Sequence, residues 1–268
     1  MPRTLKRDMT TWVDLQLRPT LTNAQQTKSM IRKARELGYR VVGISLPLNP
    51  TPNTIQALRD LCCDASVDLV TRLDLAPSMP HELLLNLRRF RRKFEVISVM
   101  CCTKAVARQA AKDRRVDLLA FSMMNSRDRF FDRAEAELAS KASTSLEVNL
   151  APLLSLRGQS RIRILTQLRK EMVIAEGFGV KVALSSGATN LQSMRSPSDF
   201  VAIASLFDFP EESANQAFSE VPIEIVKQNR EKLSKDYVAP GIRVVKGLQK
   251  RVADATPEKT LPAPEGSE

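Results

Sequence analysis

The chain has 268 residues, 41 basic against 30 acidic, and a formal charge of +11. That length suits one large α/β domain, and the charge favours polyanionic partners. No apolar run approaches the ~20 residues needed to span a bilayer, and the basic N-terminus has no apolar signal core. A membrane protein is excluded and secretion argued against, so a soluble intracellular protein is expected. The adjacent pairs Cys62-Cys63 and Cys101-Cys102 lack the spacing of a zinc site, so buried, reduced thiols are expected.

In chain order, strand-like runs alternate with helical ones. Thr11–Leu17 is followed by a helical pattern over Asn23–Leu37, with Gly38 as C-cap. The next units are Arg40–Leu46 with Thr54–Cys63, Val67–Leu75 with His81–Lys93, and Glu95–Met100 with Thr103–Lys112. Val116–Ser122 precedes Phe130–Lys141. Leu146–Leu150 precedes Ser160–Glu176, whose expected buried face is Ile162, Leu165, Leu168, Met172 and Ala175. The seventh strand, Lys181–Leu184, breaks at Ser185-Ser186-Gly187 and leads to a helix from about Phe200, capped by Ser198 or Asp199. Helical spacing resumes over Glu211–Glu220 and Ile223–Leu233, with Pro222 between them. Ile242–Val245 is the only candidate for an eighth strand.

This alternation implies a parallel sheet, and about seven units imply a TIM-barrel-like α/β fold with an incomplete eighth unit. A doubly wound open sheet is the runner-up. The expected organisation is a basic arm over residues 1–10, a single barrel over 11–250 and a disordered tail over 251–268.

Side chains alternate across a strand, so the apolar sets should pack under the helices and the polar sets point inward. On the first strand Val13, Leu15 and Leu17 oppose Asp14 and Gln16. On the third, the apolar set opposes Arg72 and Asp74, and on the sixth it opposes Glu147 and Asn149. A structural polar core is expected, with Arg72 lying between Asp14, Asp74 and Glu147, because buried charges must pair. The competing reading is a hydrolase holding a metal on Asp14, Asp74 and Glu147. Arg72 would compete for those carboxylates, and the chain has one histidine, His81, remote from any strand end. No metal ligands are assigned.

Cations mark two regions as RNA-binding candidates. Arg88, Arg89, Arg91, Arg92 and Lys93 end the third helix. Lys104, Arg108, Arg127, Arg129, Arg133, Arg157, Arg161, Arg163 and Arg195 follow strands four to seven, where they would ring the C-terminal mouth of the barrel. Ser185, Ser186 and Gly187 form a possible phosphate loop, or else a βα junction where small residues allow close approach.

The chain also resembles the ribonuclease P protein component 3 family. The likeness is carried by Val13-Asp14-Leu15, Leu37-Gly38-Tyr39, Thr71-Arg72-Leu73-Asp74, Val116-Asp117-Leu118-Leu119, Leu146-Glu147-Val148-Asn149 and Pro152-Leu153-Leu154. Ser185-Ser186-Gly187-Ala188, Met194-Arg195-Ser196-Pro197, Asp199 and Leu206-Phe207 extend it. The resemblance implies an incomplete barrel and a subunit of ribonuclease P, which removes the 5′ leader from precursor tRNA. It implies pairing with the ferredoxin-like component 2, support of the RNA subunit, and contact with precursor tRNA through that assembly. It further implies that the Mg²⁺ belongs to the RNA, with no cofactor on this chain. The location would be cytoplasmic for an archaeal protein and nuclear for a eukaryotic one.

Overall fold

The structure is a computed structural model that describes residues 10–234, 236–239 and 242–243. Strands β1 (Trp12–Leu17), β2 (Tyr39–Ser45), β3 (Asp68–Leu75) and β4 (Val96–Met100) are followed by α1 (Ala24–Glu36), α2 (Pro52–Asp64), α3 (Pro80–Phe90) and α4 (Lys104–Ala111), respectively. β5 (Leu118–Ala120) leads to α5 (Arg133–Ala142). β6 (Ser145–Asn149) leads to a short α6 (Ala151–Ser155) and the long α7 (Gly158–Gly177). After β7 (Val182–Ser185) come α8 (Pro197–Ala204), α9 (Glu211–Ala217) and α10 (Glu220–Leu233). Each strand pairs in parallel with the next, giving the order β1 to β7.

Helix starts follow local chemistry. Asn23, Thr51 and Thr103 each accept a first-turn N–H, and Pro52, Pro80 and Pro197 occupy first-turn positions where no donor is lost. α8 is capped by Ser196 rather than by Ser198 or Asp199. Asp199 instead closes the capping box by accepting the Ser196 N–H. On α7 the buried face holds Ile164, Leu168, Glu171, Met172 and Ala175, whereas Ile162 is 56% exposed.

β3 and β6 alternate as expected, with Leu73, Leu75, Leu146, Val148 and Leu150 packed in the main hydrophobic core. β1 does not. Asp14 pairs with Val42 and Leu17 with Ile44, so Leu15 and Gln16 share the single position opposite Gly43. The bulge fits only because Gly43 has no side chain: a Cβ there would lie 2.2 Å from the Leu15 carbonyl oxygen. It reverses the facing of Val13, Asp14 and Leu15, whereas Leu17 packs in the main core and Gln16 donates to Asp74 inside at 3.3 Å, as expected. Val13 and Leu15 pack inside with Val70, Val96, Leu118 and Ala183, while Asp14 shares the register of Val42, a residue of the main core.

The sheet nearly closes. The Gly187 N–H donates to Gln16 O and the Arg18 N–H to Ala188 O, both at 2.9 Å, so the loop after β7 joins β1. α10 stoppers the N-terminal end of the barrel. Val226 enters the interior cluster, Arg230 donates to Asp68 and Glu95 at 2.6 Å each, and Asn229 donates to Asp117 at 2.9 Å.

This compact unit runs to Leu233, and a second begins at Ser234. There, Tyr237–Ala239 pairs antiparallel with Ile242–Arg243 in a separate two-stranded sheet, so Ile242–Arg243 is not an eighth barrel strand. The N-terminal arm up to Met9, Val244-Val245 and the tail at 251–268 lie outside the described residues. Of the cysteines, Cys62 on α2 and Cys101 just after β4 are buried free thiols, whereas their neighbours Cys63 and Cys102 are exposed.

Candidate nucleic-acid interface

The barrel interior is organised around Arg72, which is fully buried. Its Nη1 and Nη2 donate to the two oxygens of Glu147 at 2.6 Å each, a bidentate fork. Its Nε donates to Asp74 Oδ1 at 2.6 Å, and Nη1 also donates to Leu15 O at 3.1 Å. Ser185 and Ser98 donate to Glu147 at 2.7 and 3.2 Å, and Ser45 donates to Asp74 at 2.6 Å. Burial alone would push the Asp74 carboxyl up, but the Arg72 charge and the Ser45 hydroxyl outweigh it and hold the group below its ordinary value. The Arg72 guanidinium is itself stabilised in its charged form: burial opposes the charge, and Asp74 and Glu147 overcome that opposition.

The structure therefore brings together Arg72, Asp74 and Glu147 but not Asp14. The β1 bulge turns Asp14 to the β1–β7 seam, where Ser186 donates to it through both its N–H and its hydroxyl. There, burial raises its pKa and the Ser186 bonds offset only part of the rise. Asn149 is buried inside, yet its Oδ1 accepts no hydrogen bond from the described residues, and neither does Gln16 Oε1 nearby.

The possible phosphate loop is already full. Ser185 donates to Glu147, Ser186 to Asp14, the Gly187 N–H to Gln16 O and the Ala188 N–H to Ser186 Oγ. A loop whose donors all face the protein's own oxygens has none left for a phosphate, so that expectation is corrected. Gly187, at φ +65°, is needed there for the turn and for close approach to Asn149.

The cations divide between the two ends of the barrel. Lys104 opens α4, and Arg157, Arg161 and Arg163 stand at the start of α7. All four are exposed at the C-terminal mouth and unpaired among the described residues. Arg127 and Arg133 are exposed at the same mouth. Three expected mouth cations are otherwise engaged. Arg129 is buried and forms a bidentate pair with Glu171 of α7 while donating to Phe121 O at 3.2 Å, so it is structural and not an RNA contact. Arg195 donates to Gln192 O and Met194 O at 2.8 and 2.7 Å, turned back on its own loop. Arg108, half exposed, lies 3.4 Å from Glu135 and 3.8 Å from Asp132. Glu135 is buried, and burial, with Asp132 beside it, raises its pKa to about 7.

Helices run back from the mouth, so the end of α3 lies at the opposite, N-terminal rim. Arg88, Arg89 and Arg92 are exposed there, whereas Arg91 is drawn in to Asp117 at 2.7 Å. Sequence reasoning missed Glu171, though a lone acid between Leu168 and Met172 on an apolar stripe was the available signal. No group of three or more His, Cys, Asp or Glu fit to hold a metal occurs among the described residues.

Together these features define a seven-stranded α/β barrel whose interior holds its own ion pairs and whose two ends each carry exposed cations. The chain belongs to the RNase P subunit p30 family, whose model matches residues 11–234. It is 29% identical over 232 residues to ribonuclease P protein component 3 of Methanosarcina mazei, covering 85% of this chain and 92% of that one. It is 30% identical over 175 residues to the same component of Methanosarcina acetivorans, covering 65% and 72%. A chain in the cryo-EM structure of archaeal ribonuclease P with mature tRNA shares the fold, with a TM-score of 0.75 at 19% identity, over 89% of this chain and 100% of that one. An amidohydrolase shares the barrel more loosely, with a TM-score of 0.53 at 10% identity over 83% of this chain and 75% of that one. The family expected from the sequence is thus the family found, and a ribonuclease P subunit is favoured over a stand-alone phosphoesterase.

Proposed function

We propose that this chain is a non-catalytic subunit of ribonuclease P that supports the RNA subunit in removing the 5′ leader from precursor tRNA. The observation that carries this reading is the interior. Of the carboxylates a barrel hydrolase would use, Asp74 and Glu147 are paired with Arg72 and Asp14 is turned to Ser186, which favours a structural role over activation of water or metal. The working surface is then the mouth, where Lys104, Arg157, Arg161 and Arg163 grip phosphates of the RNA. Mg²⁺ belongs to that RNA, the protein partner is the ferredoxin-like component 2, precursor tRNA is met through the assembly, and the location is cytoplasmic.

Reconstituted cleavage of precursor tRNA with and without the chain tests the proposal. Arg157→Gln, Arg161→Gln and Arg163→Gln combined should lower the slope of log K against log salt by about 2, at ~0.7–0.9 per lost phosphate contact. Assembly should fail at low Mg²⁺ and recover partly at high Mg²⁺. A wild-type slope with wild-type assembly would rule out the mouth as the RNA face.

A further inference from the structure

The N-terminal rim holds more positive charge than the fold uses. Arg91 at the end of α3 donates to Asp117, the residue before β5, so the α3 end and the α4–β5 loop are in contact. The carboxylates around them are taken: Asp117 by Arg91 and Asn229, Asp113 by Arg115, Asp68 and Glu95 by Arg230. Arg88, Arg89, Arg92, Lys93, Lys112 and Arg114 remain, all exposed and in no salt bridge among the described residues, although the Lys112 charge acts on Asp113 and Arg89 and Lys93 lie over the Phe90 ring. Arg88 and Arg89 sit in the last turn of α3, and Arg92 and Lys93 follow in the turn just beyond it, so like charge is crowded within six residues. Helix dipoles favour a cation or two at each C-terminus, not six across two ends in contact.

Resting on the reading that the chain is an RNA-bound subunit, we infer that this rim is a second phosphate-binding face. It takes an RNA segment distinct from the one at the mouth. The eleven residues of α3 separate the two faces by about 16 Å at 1.5 Å per residue, so the chain bridges two RNA segments from opposite ends. Four of the six cations are arginines, whose planar forks match phosphate oxygens in pairs. Protein interfaces centre on apolar side chains and are poor in lysine; here the exposed Leu84 and Leu85 lie only at the edge, a turn earlier on α3.

Full-length chain bound to ribonuclease P RNA distinguishes the possibilities. The rim variant combines Arg88→Gln, Arg92→Gln, Lys112→Gln and Arg114→Gln, sparing Arg89, which lies 5.1 Å over the Phe90 ring. Its salt slope should fall by about 3, at ~0.7–0.9 per phosphate. Hydroxyl-radical footprints should lose protections different from those lost by the Arg157, Arg161, Arg163 variant. If the rim variant melts lower, Arg92→Gln with Arg114→Gln replaces it, with an expected slope loss of about 1.5. A wild-type slope and footprint in the rim variant would overturn the inference. So would loss of the same protections by rim and mouth variants, or unchanged RNA binding with lost binding of protein component 2. If the mouth variant alone is silent, the mouth assignment fails and the rim stands.

Discussion

Glu147→Ala removes the carboxylate that satisfies both ends of the Arg72 fork and leaves a fully buried guanidinium with only Asp74 and a backbone carbonyl. Breaking a buried pair from one side costs about 3–5 kcal/mol, because the guanidinium loses the partner of both its Nη groups where no water replaces it and keeps only Asp74 on Nε. For a domain of this size each kcal/mol lowers Tm by roughly 2–4 °C, so the expected drop is about 6–20 °C. Asp74→Ala is milder. Its side chain is 26% exposed, water can reach the vacated position, and Glu147 keeps its grip on Arg72. A lost charged hydrogen bond of about 1.5–3 kcal/mol is the measure there. Combining Arg72→Met with Glu147→Leu should recover part of the Glu147→Ala loss, since the buried guanidinium is gone and the one charge left without its partner, Asp74, is 26% exposed and still held by Ser45. Thermal melting of the three variants, with cleavage assays run below the lowest Tm, decides the matter. If Glu147→Ala melts like wild type but abolishes reconstituted cleavage, the interior is an active site and the structural account fails. An Asp74→Ala loss larger than that of Glu147→Ala would equally contradict the assigned geometry.

Glu135, with its pKa raised to about 7, binds a proton that the unfolded chain gives up near its ordinary value of 4.5. Its contribution to stability is therefore present at low pH and lost as pH rises from about 4.5 through 7. Glu135→Gln should raise Tm at pH 8 and leave it unchanged at pH 4, and an equal shift at both would exclude proton linkage. Gly43→Ala would force a Cβ onto the Leu15 carbonyl, so it should undo the β1–β2 pairing; soluble protein with wild-type melting would refute the bulge.

The barrel was legible where one physical rule acts alone. β3 and β6 show period-two alternation, so Arg72, Asp74 and Glu147 were readable as inward-facing. β1 misled because a bulge changes parity without altering composition. Gly43, a glycine inside an apolar strand, was its only trace. The mouth was legible as a set of loop cations, but not which were free. Arg129 and Glu171 are 42 residues apart and meet only through the packing of α7. Arg195 and the Ser185-Ser186-Gly187-Ala188 loop bind their own surroundings, a choice made by backbone geometry that side-chain identity does not encode. α10 could be read as a helix from its spacing, yet nothing local shows that it lies across the end of the barrel.

That stopper has a consequence for timing. The seam joins Asp14 to Ser186 across 172 residues, and α10 ties Arg230 to Asp68 across 162. At ~5–20 residues per second, roughly 10–35 s of synthesis separate the two sides of either junction. Through that interval β1 has one edge unpaired, with a charged group waiting for a serine not yet made. Contacts this far apart in sequence are slow to form, so the β1–β7 seam and the α10 stopper are both expected late in folding. The two ends of the barrel are held in one fixed relation only after both junctions have formed, so the frame is finished late, when α10 has been made and has docked.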